Sequence, residues 1–105
     1  MNQIQVRTSR PDDVAGLRDL VSGLSPQSSF LRFCAGVGTP STRLVTALLR
    51  RDDAHGAWVA EGADRLLGHV SWALVAPGII EVGAMVADGC QRRGLGRLLA
   101  DRALA

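Results

Sequence analysis

The spacing of apolar residues changes twice along the chain. Up to about residue 50, apolar residues recur at intervals of three and four, which is typical of helices that bury one face. The residues with this spacing are Val14, Leu17, Leu20, Val21 and Leu24, and then Leu44, Val45, Leu48 and Leu49. Beyond residue 56, runs rich in Val, Ile and Trp indicate strands. The pattern therefore predicts helices first, strands next, and one last helix that carries Leu95, Leu98, Leu99 and Leu104.

The predicted elements follow one another in the order β-α-α-β-β-β-α. A first strand over residues 4–7 precedes a helix over residues 11–23, and Ser9 and Asp12 have the spacing of a weak capping box at the start of that helix. A second helix opens at Thr39 and Pro40. Three strands are then predicted over residues 57–61, 66–75 and 79–87, and the last helix follows Gly94 and Gly96. This order indicates a mixed α/β layer architecture.

Composition places the chain among small folded domains. It has 105 residues, of which 47% are apolar and 21% charged, so a single domain over residues 1–105 is expected. All twelve basic residues are arginines, and the net charge of +2 is too small to indicate nucleic-acid binding. Four arginines lie close together near the end of the chain: Arg92, Arg93, Arg97 and Arg102. Such a local patch favours a small polyanion.

The cysteines and the N-terminal residues exclude other classes of protein. Cys34 and Cys90 do not have the spacing of zinc ligands, so no metal site is expected, and two reduced cysteines are typical of a cytoplasmic protein. The first thirteen residues lack the apolar core of a signal peptide. No apolar run approaches the ~18 residues of a membrane span, so no membrane partner is expected.

The glycine-rich segment "QRRGLG", from Gln91 to Gly96, is the strongest candidate for a binding site. A P-loop is excluded because it requires a lysine, and the chain contains none. A dinucleotide-binding fingerprint is disfavoured because its acidic residue lies about 20 residues further on, whereas nine residues follow Gly96. Glycines allow close backbone approach, and a helix N-terminus offers unpaired amides. Together with the arginines, these features predict a pyrophosphate site, although such a glycine pair can also serve only as a turn.

The predicted strand over residues 79–87 places different residues on its two faces. Ile80, Val82, Ala84 and Val86 lie on the face that is expected to form core, and Trp58 and Trp72 are also expected in the core. Glu81, Gly83, Met85 and Ala87 lie on the other face, which is expected to line a cleft or to meet solvent. A three-residue loop over residues 76–78 would pair Ala73 with Glu81, Ser71 with Gly83 and His69 with Met85. His69 could then relay a proton or hold a water, or serve only as a hydrogen-bonded packing residue. A two-residue loop would move His69 and Ser71 to the core side.

Two segments resemble a known family. The segment "VADGCQRRGLGRLLADRALA" is similar to the acetyl-CoA-binding segment of the GNAT family of N-acetyltransferases, and "LSPQSSFLRF" resembles a stretch in bacterial members of the protein-lysine acetyltransferase type. The resemblance implies a GNAT-like, mostly antiparallel sheet that lacks the C-terminal strands of the full fold. It implies that acetyl-CoA is bound by Met85, Val86, Gln91, Arg92, Arg93, Gly94, Leu95, Gly96 and Arg97. It also implies that Glu81, ten residues before Gln91, acts as the general base.

The function implied by this resemblance is transfer of an acetyl group from acetyl-CoA to a primary amine, either a protein lysine or a small-molecule amine. The alternative is a non-catalytic remnant that binds coenzyme A or dimerises. The chain contains no tyrosine to serve as general acid. The predicted fourth strand would be an unpaired edge, so a homodimer or a strand-completing partner is also expected.

Overall fold

The computed structural model describes residues 4–25, 40–90 and 94–104. Within these ranges the strands and helices follow the predicted order. Their bounds are β1, Gln5–Thr8; α1, Val14–Ser22; α2, Thr42–Leu48; β2, His55–Glu61; β3, Leu66–Ala76; β4, Ile79–Val86; and α3, Leu95–Leu104. The prediction of a mixed α/β fold is confirmed. In the described ranges, no helix has the length and apolar character required to cross a membrane.

The described strands form one antiparallel sheet in the order β1-β2-β3-β4. Helices α1 and α2 cover one face, where Leu17, Val21 and Val45 pack with Val59 of β2 and Met85 of β4. Helix α3 covers the other face, where its apolar residues pack with β2 and β3, namely Leu95, Leu99, Ala103, Ala60, Leu67 and Val70. Trp58 and Trp72 are half-buried against this second cluster, as expected of core aromatics. The sheet is thus the middle layer of three, and β4 is one of its edges.

The start of α1 differs from the predicted capping box. A 3₁₀ turn over Pro11–Asp13 precedes the helix, and the Arg10 amide donates to the Asp13 carboxylate at 2.7 Å. Ser9 is buried and donates its hydroxyl to the Leu49 carbonyl at 2.8 Å. The prediction was wrong by one position because Ser9 is used to hold the end of α2 rather than the start of α1.

Both ends of α2 are held by hydrogen bonds. At its start, the Ser41 hydroxyl accepts from the Leu44 amide at 3.1 Å. At its end, where helix carbonyls have no intrahelical partner, the Leu48 carbonyl accepts from Nε2 of His69 at 2.8 Å. This bond ties the last turn of α2 to the centre of β3.

The β3–β4 hairpin has the predicted register with a shorter turn. Pro77 and Gly78 form the turn, and Gly78 has a φ of +73° that favours glycine. Leu74 pairs with Ile80 and Ala76 pairs with Ile79, so Val75 is an extra residue in β3. Because this bulge adds one residue, it compensates for the short turn. The predicted pairs Ala73–Glu81, Ser71–Gly83 and His69–Met85 are therefore confirmed.

The assignment of β4 faces to core and solvent is partly wrong. Ile80 and Val82 are 44% and 45% exposed, and Ala84 is also exposed, although the sequence placed all three in the core. Met85 is only 5% exposed, although it was expected in a cleft. Burial along this strand depends on distance from the hairpin tip, because α1 and α3 cover the sheet only toward the far end of β4. Val86, at that end, does pack against the α3 cluster.

We expect Asp13→Asn to lower the free energy of unfolding by about 1–3 kcal/mol at pH 7, the usual range for a lost charged hydrogen bond in a buried position. The Arg7 guanidinium donates two hydrogen bonds to Asp13, at 2.8 and 2.9 Å, and both side chains are largely buried. Burial raises the pKa of Asp13, but the hydrogen bonds from Arg7 and from the Arg10 amide together outweigh it, so the pKa of Asp13 lies below its ordinary value.

A carboxyl group with a depressed folded-state pKa stabilises the protein above its unfolded pKa of about 3.9, and this contribution is lost as the pH falls through the folded value. Urea denaturation should therefore show a gap between wild type and Asp13→Asn at pH 7 that narrows below about pH 4. Asp12→Asn, at the exposed neighbouring position, should leave stability unchanged. A gap of equal size at pH 3 and pH 7 would refute a role for the ion pair.

Candidate functional site

A cleft of about 800 Å³ opens between the end of α2 and the hairpin half of the sheet. We call it the Glu81 cleft. Its walls are Ala47, Leu48 and Arg50 at the end of α2, His55 and Gly56 of β2, residues 71–73 of β3, and residues 81–84 of β4. The cleft lies on the α1/α2 side of the sheet, since that is the side to which the Leu48 carbonyl and His69 belong.

The sheet register explains how polar groups reach this cleft. Directly opposed residues of antiparallel strands share a face, so Val59, His69 and Met85 form one row across β2, β3 and β4. That row is buried. Two residues closer to the hairpin tip, the next row contains half-buried Ser71 and Gly83. The outermost of the three rows is His55, Ala73 and Glu81, in which Glu81 is exposed.

Glu81 and His55 therefore face the same cleft from either side of a small residue. Neighbouring strands are about 4.8 Å apart, so two strand spacings separate the backbones of Glu81 and His55, with Ala73 between them. The methyl group of Ala73 leaves a slot between a carboxylate and an imidazole. A cationic group can enter such a slot, and the carboxylate or the imidazole that borders the slot can accept a proton from it.

His55 is oriented by Asp52. The ring nitrogen Nδ1 of His55 donates to Oδ1 of Asp52 at 2.8 Å, and the Ala54 amide donates to the same oxygen at 2.8 Å. These hydrogen bonds, with a further one from Arg50, lower the pKa of Asp52 to about 2. The group beside His55 is thus a carboxylate across the physiological range. Sequence reasoning missed His55 because it lies before the predicted strand, and only the register shows that it is in line with Glu81.

His69 lies beneath the cleft and does not line it. It is fully buried, and its Nε2 hydrogen is committed to the Leu48 carbonyl. His69, Ser71 and Glu81 do share one face of the sheet, as predicted. Of these three residues, only Ser71 and Glu81 line the cleft. The packing role, which was the alternative for His69, fits its environment.

The glycine-rich segment leads into α3 with an open backbone. Gly94 has a φ of +78°, and its carbonyl accepts from the Leu98 amide at 3.0 Å. A Cβ at Gly94 would meet no atom within 4 Å, and one at Gly96 would meet only Val86, at 3.7 Å. Within the described ranges, no protein group accepts a hydrogen bond from the amides of Leu95, Gly96 or Arg97. Because the first amides of a helix have no partner within that helix, this helix start is suited to an anion, and the described residues fit a pyrophosphate.

Side-chain burial holds this segment in place. The Leu95 side chain is 5% exposed and Leu99 is fully buried, so the first turn of α3 is anchored to the sheet while Gly94 and Arg97 remain exposed. The Met85 side chain belongs to the opposite cluster. Of the two predicted strand contacts, Met85 can offer a ligand only its backbone.

Some sequence predictions lie outside the described residues. These are the contacts assigned to Gln91, Arg92 and Arg93, the environment of Cys34, and most of the segment "LSPQSSFLRF". Among the residues that are described, Cys90 is a half-buried free thiol, and no group of three or more His, Cys, Asp and Glu side chains is arranged to hold a metal ion.

Comparison by sequence finds no matching protein-family model and no matching curated protein. Comparison by structure does find related folds. The GNAT domain of PAT from S. lividans matches with a TM-score of 0.88 and 22% identity, over 96% of this chain and 63% of that one. A GNAT family acetyltransferase from Brucella melitensis, solved with acetyl-CoA, matches with a TM-score of 0.69 and 23% identity, over 97% of this chain and 66% of that one. The PaiA N-acetyltransferase from Thermoplasma acidophilum, solved with coenzyme A, matches with a TM-score of 0.73 and 14% identity, over 97% of this chain and 70% of that one.

These likenesses establish the fold. The chain has the fold of GNAT-domain acetyltransferases and spans less than two thirds of the length of the S. lividans domain. The fold expected from the glycine-rich segment and its preceding strands is therefore confirmed.

Proposed function

We propose, from the GNAT fold of this chain, that it transfers an acetyl group from acetyl-CoA to a primary amine. The observation that carries the proposal is the placement of two features along β4. Glu81 faces a cleft near one end of this strand, and the open backbone of Gly94 follows its other end. An extended pantetheine arm can bridge that length of strand.

The described residues suit the cofactor in distinct ways. The exposed amides at the start of α3 would receive the pyrophosphate, and the guanidinium of Arg97 would add a full positive charge. The predicted contacts of Gln91, Arg92 and Arg93 extend the same segment. The outer edge of β4 at Gly83 and Met85 would pair with the amide groups of the pantetheine arm, as an added strand does, and Val86 would lie beside the arm. The structures from Brucella melitensis and Thermoplasma acidophilum, solved with acetyl-CoA and coenzyme A, support this assignment.

Glu81 would prepare the acceptor. A lysine-like amine has a pKa of about 10.4, so roughly one molecule in a thousand or fewer is neutral at pH 7. Acetyl-CoA would supply a thioester that is already activated for attack by a neutral amine. The Glu81 carboxylate would take the ammonium proton directly or through one water. The new N–C bond would then replace the C–S bond, the attacking nitrogen would release its second proton to solvent, and the coenzyme would leave as a thiolate that takes up a proton from solvent.

The alternative is a non-catalytic domain that binds coenzyme A or dimerises. It is supported by the exposed apolar residues at the edge strand β4, which would pair with another strand in a dimer. Both proposals keep the glycine-rich segment, and they differ in whether any amine releases coenzyme A thiol from acetyl-CoA.

The exposed edge of β4 supports the predicted homodimer or strand-completing partner. At the hairpin end, Leu74, Val75, Ile79, Ile80 and Val82 are each between 44% and 57% exposed. Contiguous apolar residues on an unpaired edge favour pairing with another strand. A second copy of the chain, or another segment of a longer protein, would bury them.

Gly94→Val is expected to weaken acetyl-CoA binding by about tenfold or more, because a charge-assisted hydrogen bond to a phosphate contributes about 1.5–3 kcal/mol. The valine side chain would occupy the open space above the segment, and its branched Cβ disfavours the φ of +78°. The measurement is isothermal titration calorimetry of the full chain with acetyl-CoA.

Gly78→Val is the matched control for this experiment. Gly78 also has a positive φ, +73°, and also has open space at its Cβ position, but it lies in the hairpin turn. The two variants share the backbone strain and differ in location. Equal affinity in both variants would remove the phosphate-binding role of Gly94, and no binding to the wild-type chain at millimolar acetyl-CoA would remove both proposed functions.

A further inference from the structure

A second groove, of about 770 Å³, lies between α2 and the residues that precede and begin α1. We call it the arginine groove. It combines three arginines with an apolar floor, namely Arg43, Arg50, Arg51, Pro11, Val14 and Leu49. None of the residues that line it is acidic. The groove is thus both apolar and positively charged.

Two of its three arginines keep their charge uncompensated within the described part of the chain. Arg43 is exposed and makes no hydrogen bond or ion pair to a described residue. Arg51 donates to the Ser9 carbonyl at 3.0 Å, which is a neutral acceptor. Arg50 is paired with Asp52 at 2.7 Å. An anionic ligand would therefore meet two available guanidinium groups before it had to displace an existing partner.

The arginine groove adjoins the Glu81 cleft. Ala47 and Arg50, at the end of α2, line both. A helix rises about 1.5 Å per residue, so Arg43 lies roughly 6 Å along α2 from Ala47, which lines both cavities, about the length of two extended residues. A peptide with one side chain in the Glu81 cleft would thus place residues two to four positions away over the arginines.

We propose that the acceptor is a lysine within an acidic peptide segment. The ammonium group enters the Glu81 cleft, where Glu81 is the acidic residue among the described residues that line it, and flanking aspartate or glutamate side chains lie on the arginine groove. A small polyamine is disfavoured, because its other ammonium groups would face Arg43 and Arg51. This inference rests on the proposed amine acetylation and chooses between its two classes of acceptor.

The test measures peptide binding without acetyl-CoA, so it does not depend on turnover. Three fluorescein-labelled heptapeptides carry a central lysine flanked on both sides by aspartates, serines or arginines. Fluorescence anisotropy with the full chain is expected to show the aspartate peptide binding about three- to tenfold more tightly than the serine peptide at low salt, the gain of two or three exposed ion pairs. The preference should shrink as salt rises. Spermidine should not displace the aspartate peptide at equal concentration.

The variant Arg43→Glu tests whether the arginine groove is the site that prefers aspartate flanks. It should abolish the preference for aspartate over serine flanks and strengthen binding of the arginine peptide. Arg65→Glu makes the same charge change at an exposed position between β2 and β3 that lines neither the arginine groove nor the Glu81 cleft, and it should preserve the wild-type order. Equal binding of the three peptides, no binding of any, or an equal loss in both variants would overturn the inference. The wild-type chain could instead show the preference for aspartate flanks and fail to bind acetyl-CoA. That result would refute the proposed acetyl transfer, but it would still support the arginine groove as a site for acidic peptides.

Discussion

Replacing Glu81 with glutamine is expected to lower the turnover number for amine acetylation by about 100- to 10,000-fold, the usual contribution of a positioned general base. The amide keeps the size of the carboxylate and cannot accept the ammonium proton. Glu81 is exposed on β4, in the row that contains Ala73 and His55. It does not contact the core, so the variant should fold like wild type. The measurement is release of coenzyme A thiol from acetyl-CoA with lysine-peptide acceptors.

Two comparisons make this result specific. Glu61→Gln is the same chemical change at the other glutamate, which lies at the far end of β2 and faces Arg7 at 3.4 Å; its turnover should stay near that of wild type. The affinity of Glu81→Gln for acetyl-CoA, measured by calorimetry, should also be unchanged. Wild-type turnover in Glu81→Gln would remove the carboxylate from the mechanism, and acetyl-CoA binding with no turnover in wild type would favour the non-catalytic alternative.

The second large effect concerns the anchoring of α3. Leu99→Ala is expected to lower the free energy of unfolding by about 2–5 kcal/mol, as buried leucine truncations do. Leu99 is fully buried, with 0% of its surface accessible to solvent. Its Cδ1 lies only 2.7 Å from where a Cβ of Gly68 would be, so the side chain is seated directly on the backbone of β3.

Leu98→Ala provides the control, because Leu98 is the adjacent residue of the same helix and is 46% exposed. Its free energy of unfolding should change by less than about 0.5 kcal/mol. Urea or thermal denaturation measures both variants. If the two truncations lower the free energy of unfolding equally, Leu99 does not hold α3 on the sheet. The placement of the glycine-rich segment before α3 then loses its physical basis.

The order of elements could be predicted because it depends on local periodicity. Apolar residues spaced by three and four, such as Leu17, Leu20 and Val21, bury one side of a helix wherever that helix lies. The pairing of Ala73 with Glu81 was one of two registers that the sequence left open, and it required a three-residue loop. It held for a different reason than expected, since the bulge at Val75 offsets a two-residue turn.

Burial on β4 could not be predicted from alternation. Ile80 and Val82 have the pattern of core residues and are exposed, while Met85 has the pattern of a cleft residue and is buried. Alternation determines which residues share a face. It carries no information about how far the helices extend over that face.

The sequence alone therefore determined the mixed α/β order and a glycine-rich start to the last helix, because each follows from short-range geometry of the backbone. Only the tertiary structure decided that Ser71 and Glu81 share a face, that His55 is in line with Glu81, that His69 holds the end of α2, and that Arg43 and Arg51 border a groove beside the cleft. Those juxtapositions join residues far apart in the chain, and they depend on how the layers pack.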